Sequence, residues 1–142
     1  MKQLTICVDF DGTCVTHEFP KVGKDIGAVP VLKCLVAAGH RLILWTMRSD
    51  SEIVESDSEE IHAVAGNYLT DAVNWFKENE IPLFGVNENP EQKSWTSSPK
   101  AYGHFYIDDA AIGCPLITED KGSRPYVDWI MMEAHLIYKG II

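Results

Sequence analysis

The chain alternates short, nearly continuous apolar runs with longer stretches of helical spacing. Residues 3–9, QLTICVD, form a β-branched run that ends in a carboxylate and predicts a buried strand. Residues 10–28 contain Gly12, Pro20, Gly23 and Gly27, which predict a loop or small flap. Over residues 30–38 the apolar positions recur at helical spacing and stop at Gly39, a good residue for a helix C-terminus. Residues 41–45 predict a second buried strand, followed directly by Thr46, Met47 and Arg48. The next segment, 49–60, carries Asp50, Glu52, Glu55, Asp57, Glu59 and Glu60, and predicts a solvated loop or a poorly packed helix start. Between about 67 and 79, Leu69, Val73 and Phe76 mark an amphipathic helix. Residues 81–86, with Pro82 near the start, 104–107 and 115–117 predict three further strands. A last helix is expected from Pro125 to about Tyr138, with Ser123 before it as N-cap.

Strands alternating with helices, and strands apolar on both sides, predict a mainly parallel sheet covered on both faces: an α/β, Rossmann-like three-layer sandwich. The chain shows no repeat, linker or second composition regime. Residues 1–142 therefore read as one domain, with 10–28 as a flap and 49–66 as a short acidic insertion.

Composition narrows the options. At 142 residues the chain can bury a sizeable single core, and 46% apolar with 23% charged residues is ordinary for a globular protein. The N-terminal apolar run stops at Asp9, too short for a secretory h-region, and no stretch approaches the roughly 18 apolar residues of a membrane span. A cytoplasmic protein without membrane association is expected. The net charge of −9 argues against nucleic acid as a general partner. It does not argue against a small phosphorylated ligand, since a bound divalent cation inverts the field of a carboxylate cluster. Cys7, Cys14, Cys34 and Cys114 form no CxxC pair and are expected to act as small buried hydrophobes.

In open parallel sheets, ligands gather in the crevice outside the carboxyl ends of the strands. Three predicted strands end there in reactive residues: Asp9 with Asp11, Thr46, and the pair Asp108 and Asp109. Alternation along extended chain lets Asp9 and Asp11 face one pocket while Phe10 points into the fold. Gly12 permits a sharp turn immediately afterwards. Two carboxylates in a partly dry pocket push their proton affinities apart, so one can be a nucleophile and the other an acid. Consecutive carboxylates such as Asp108 and Asp109 repel each other, and a hard divalent cation offsets that cost.

The run Asp9-Phe10-Asp11-Gly12-Thr13 resembles the first motif of the haloacid dehalogenase-like superfamily. The remaining motifs follow in that family's order: Thr46 after the second strand, Lys100 (with Lys93 as competitor) ahead of the fourth, and Asp108-Asp109 after it. The resemblance spans residues 4 to about 112. It implies a phosphatase in which Asp9 takes the phosphoryl group as an aspartyl-phosphate and Asp11 first protonates the leaving oxygen, then activates water. Thr46 would bind the phosphoryl oxygens and Lys100 would neutralise charge. The implied cofactor is Mg²⁺, held by the Asp9 carboxylate, the backbone carbonyl of Asp11, and Asp108. Asp109 would bind through water or orient the site, and which of the two acids touches the metal stays open. Thr46, Met47, Arg48 and Lys100 make up the expected substrate-binding set, although Arg48 fits a surface arginine equally well.

Many such enzymes carry a cap domain, whereas here only the acidic segment 49–66 is left over, too small for one. An open site is expected, or one covered by that segment or by a partner subunit in a homo-oligomer. The substrate class is a phosphate monoester, on a small molecule or a macromolecule. Dehalogenation is disfavoured by Asp11, and phosphonate cleavage by the missing cap. Two readings compete. A phospho-accepting, receiver-like regulatory domain would place its acidic pair on the first strand and its phosphorylated Asp on the third, the reverse of the order here. A degenerate, non-catalytic binding protein is the other. His17 and Glu18 in the flap are read as substrate contacts or as solvated groups, Asn87 and Asn89 as rim groups or turn formers, and Trp75, Trp95 and Trp129 as packing residues.

Overall fold

A computed structural model describes residues 2–51 and 66–142. In chain order its elements are β1 (Thr5–Val8), α1 (Ala28–Ala37), β2 (Arg41–Leu44), β3 (Asp50–Ser51), β4 (Gly66–Asn67), α2 (Tyr68–Glu78), β5 (Gly85–Val86), a 3₁₀ turn (Gln92–Ser94), β6 (Phe105–Ile107), β7 (Leu116–Ile117), β8 (Tyr126–Val127) and α3 (Trp129–Tyr138). β1, β2, β5 and β6 form one parallel sheet in the order β5-β2-β1-β6, flanked by helices. This is the Rossmann-like α/β architecture that the alternating pattern predicts. From β1 the chain steps outward to β2 and β5, then returns to the other side of β1 to lay down β6. The order of strands therefore reverses between β1 and β6, which is where such sheets open a crevice.

The two faces of the sheet are covered unequally. Ile6, Val8, Leu42 and Leu44 point to one side, where they meet Val31, Leu32 and Leu35 of α1, Ala72 and Phe76 of α2, and Trp129 and Leu136 of α3. The alternate residues Cys7 and Ile43 meet Ala101, with Trp45 and Phe84 packed beside them. The connection from β5 to β6, which includes the 3₁₀ turn, thus supplies the second covering layer where a longer helix would normally lie.

Local chemistry explains most element ends. Ala28, Val31, Leu32 and Leu35 give α1 one buried stripe, and Gly39, at φ +92°, ends the turn that follows. Several boundaries differ from the sequence expectation. The third strand shrinks to Gly85–Val86, because Ile81 still bonds back to Phe76 O and Pro82 has no N–H to give a ladder. The segment 115–117 yields β7, which pairs antiparallel with β8 outside the main sheet. Because residues 126–127 are extended, α3 starts at Trp129 and is capped by Asp128, whose carboxylate accepts from the N–H groups of Ile130 and Met131. Ser123 is not its cap.

The acidic insertion is closed at its base by β3 and β4, an antiparallel pair, and Asp50 accepts from both the N–H and the hydroxyl of Thr70. Residues 52–65, on which most of that expectation falls, lie outside the described residues. Of the cysteines, Cys7 and Cys14 are buried, Cys114 is half-buried and Cys34 is exposed, so the expectation of four buried thiols holds for two. Trp129 is buried and Trp75 packs against the core, whereas Trp95 is exposed. No helix among the described residues is long and apolar enough to cross a membrane.

Candidate active site

The backbone N–H of Asp9 donates to Ile107 O at 3.0 Å, so the first residue past β1 is tied to the last residue of β6. That bond brings Asp9 beside Asp108 and Asp109. One carboxylate oxygen from each of the three lies within 4.8 Å of the others. Each of the three is half-buried. Crowding raises the proton affinity of Asp9: burial first, then its hydrogen bond with Asp109 and the charge of Asp108, push its pKa up to about 8.

The rest of the first motif wraps around this group. Gly12, at φ +79°, turns the chain so closely that a Cβ there would lie 2.0 Å from His17 Nε2 and 2.6 Å from Asp109 Oδ2. Thr13 is buried, and its hydroxyl donates to Asp9 Oδ2 at 2.8 Å while accepting from the N–H of Asp109 at 3.1 Å. Trp129 Nε1 donates to Thr13 O at 2.7 Å, and Val127 N donates to Gly12 O, so β8 and α3 hold the motif from behind. Cys14, fully buried beside Asp9 and Asp11, has its thiol pKa raised mainly by burial.

Asp11 takes a different path from the other three acids. Both of its oxygens accept from Arg48, Oδ2 from Nε at 2.8 Å and Oδ1 from Nη2 at 2.7 Å. Its side chain is not part of the carboxylate cluster. Arg48 is neither at the surface nor open at the rim: it is 3% exposed, with further bonds to the carbonyls of Pro20, Lys21 and Tyr68.

Thr46 sits at the carboxyl end of β2. Its N–H donates to Asn87 Oδ1 at 2.8 Å, and its hydroxyl accepts from the N–H of Arg48 at 3.1 Å. Asn87 holds this position in the left-handed region, at φ 53°. Beyond it lies a polar cleft of about 530 Å³ lined by Asn87, Asn89, Gln92, Lys93, Thr96 and Ser98, which is where Lys93 is found. Met47 is fully exposed. Lys100 is exposed, with Nζ 5.4 Å from the centre of the Tyr106 ring, and no bond joins it to the acidic cluster.

Thr13 carries no expected role, and His17, expected to be a substrate contact or a solvated group, is instead bonded to an acid of the cluster. Thr13 lies inside the quoted motif, but which acid its hydroxyl meets depends on where β6 ends. His17 Nε2 lies 2.8 Å from Asp109 Oδ2, so the flap is bonded to the cluster. A histidine flanked by Thr16 and Glu18 gives no periodic signal of that contact.

The three carboxylates make an all-oxygen donor set of the kind hard divalent cations prefer. Neither a protein-family model nor a curated protein matches the chain. Among solved structures, a conserved protein of Bacteroides thetaiotaomicron is 30% identical, with a TM-score of 0.69 over 97% of this chain and 93% of that one. The chain belongs to the same family as that protein. The likeness fixes fold and family.

Proposed function

We propose that the chain is a Mg²⁺-dependent phosphohydrolase of the haloacid dehalogenase type, cleaving phosphate monoesters through an aspartyl-phosphate on Asp9. The reading is supported above all by the meeting of Asp9, Asp108 and Asp109 within 4.8 Å at the ends of two adjacent parallel strands. Asp9, Asp108 and Asp109 would hold the cation, which when bound supplies positive charge against the phosphate and the anionic nucleophile.

The remaining steps fall to the protein's own groups. An Asp9 oxygen attacks phosphorus in line, forming the new P–O bond as the ester P–O bond breaks. Asp11 donates a proton to the departing alkoxide, which leaves as the alcohol. A water molecule then attacks the phosphorus, Asp11 takes its proton, and Asp9 is released with inorganic phosphate. Both oxygens of Asp11 accept from the fork of Arg48. Donation in the first half requires one bond of that fork to open. Thr46, just past the end of β2, would meet a phosphoryl oxygen, and the polar cleft beyond Asn87 would receive the leaving group.

A panel of phosphate esters, assayed with Mg²⁺ and then with EDTA, tests this. Hydrolysis is expected with the metal only, and Asp9→Asn should abolish it while the fold persists. Near-normal hydrolysis by Asp9→Asn would end the proposal. Stable labelling by acetyl phosphate, without hydrolysis of any ester, would instead favour the phospho-accepting regulatory reading.

A further inference from the structure

Arg48 has five N–H groups, and each has an acceptor. Nε and Nη2 bind the two oxygens of Asp11 at 2.8 and 2.7 Å, Nη2 also donates to Lys21 O at 2.7 Å, and Nη1 reaches Tyr68 O at 3.2 Å and Pro20 O at 3.4 Å. Its side chain is only 1% exposed. Phe10 and Phe19 approach the guanidinium, with ring centres 5.0 and 5.2 Å from Cζ. The acceptors come from three separate stretches: the first motif, the flap, and the start of α2. The flap is also the segment that carries His17 to Asp109. One buried cation therefore sets the orientation of Asp11 and the path of the flap beside the acidic cluster.

We infer that Arg48 is a positioning residue, fixing the Asp11 carboxylate and the flap, and that it does not contact the substrate phosphate. To reach an anion it would have to break charge-assisted bonds that are among the strongest a side chain makes. Lysine cannot replace it, because an ammonium is a point charge without the planar fork that matches a carboxylate. The inference rests on the phosphohydrolase reading for the role of Asp11, but the contacts of Arg48 can be tested apart from activity.

The wild-type protein is small enough for NMR observation of arginine side chains, and the Arg48 Nε–H signal is the first readout. It should exchange slowly with solvent and keep its shift as Mg²⁺ and inorganic phosphate are titrated to saturation. The second readout is Arg48→Lys, which should bind inorganic phosphate within about twofold of wild type. Its kcat should fall about 10- to 100-fold with KM little changed, as expected for a residue that orients another. A phosphate-induced shift of the Nε–H signal, or a tenfold loss of phosphate affinity in Arg48→Lys, would make Arg48 a phosphate ligand and overturn the inference. Normal turnover by Arg48→Lys would overturn it too. If the variant does not fold, the wild-type titration decides alone. Should the wild type hydrolyse no ester, the functional reading fails, while a fast-exchanging Nε–H would independently refute the fork.

Discussion

Thr13 and Asp109, 96 residues apart in sequence, share a hydrogen bond in which the backbone N–H of Asp109 donates to the Thr13 hydroxyl at 3.1 Å. That hydroxyl donates in turn to Asp9 at 2.8 Å, so one buried oxygen links the first strand's acid to the sixth strand's. Replacing Thr13 by the isosteric Val keeps the packing and removes both bonds. The stranded Asp109 N–H should cost about 1–3 kcal/mol of stability, read by thermal or urea unfolding. Mg²⁺ affinity, read by calorimetry, should fall about 10- to 100-fold. Unaltered affinity would show that Thr13 does not hold the acids in place.

The raised pKa of Asp9 makes the metal-free protein sensitive to pH in a definite direction. The folded chain keeps this proton up to about pH 8, whereas the ordinary carboxylate releases it near 3.8. Between those values the native state binds more protons than the unfolded one, so stability contributed by this site falls as pH rises. The loss is on the order of a few kcal/mol and complete above pH 8. Mg²⁺ should therefore raise Tm strongly at pH 8 and little at pH 5. Asp9→Asn, which cannot ionise, should flatten both effects, and the difference between variant and wild-type melts isolates them. A wild-type Tm that climbs from pH 5 to pH 8 relative to Asp9→Asn would contradict the assignment.

Gly12→Ala should damage the site more than the fold. The new Cβ would meet His17 Nε2 at 2.0 Å and Asp109 Oδ2 at 2.6 Å, in a backbone conformation that L-residues resist. The His17 and Asp109 side chains can swing away, whereas the acidic cluster cannot keep its shape if they do. The expected outcome is a stability loss of about 1–2 kcal/mol with Mg²⁺ binding reduced at least tenfold. Intact Mg²⁺ binding would mean that the flap and the cluster are not coupled through this turn.

Thiol reactivity offers a check on packing that needs no substrate. Burial raises the Cys7 thiol to about 11 and pushes Cys14 up as well, and both lie inside the fold. Cys34, on the outer side of α1, is exposed. A thiol reagent at pH 8 should modify Cys34 first and leave Cys7 and Cys14 untouched until the protein unfolds, as mass mapping would reveal. Early labelling of Cys7 would contradict the covering layer over that face of the sheet.

How much of this could be read from the chain depends on how local each signal is. The first two strands and the first two helices follow from periodicity over a few turns, and the observed ends fall close to the expected ones. The third strand and the start of α3 carry no such local signal, because residues 81–84 and 125–127 suit either neighbour. Ile81 bonds back to Phe76 in the turn after α2, and Tyr126–Val127 finds a strand partner only through tertiary contact with Leu116–Ile117.

By itself the sequence determined that carboxylates would stand at the ends of apolar strands, since alternation and a terminal Asp are properties of a few consecutive residues. Only the folded chain decided which carboxylates meet. Asp9, Asp108 and Asp109 converge because β6 returns to lie against β1. Asp11 instead turns to Arg48, 37 residues away, and His17 reaches Asp109 across 92. Side-chain partners at such separations are set by strand order and by the route of the connecting loops. No pattern in the local run of residues encodes them.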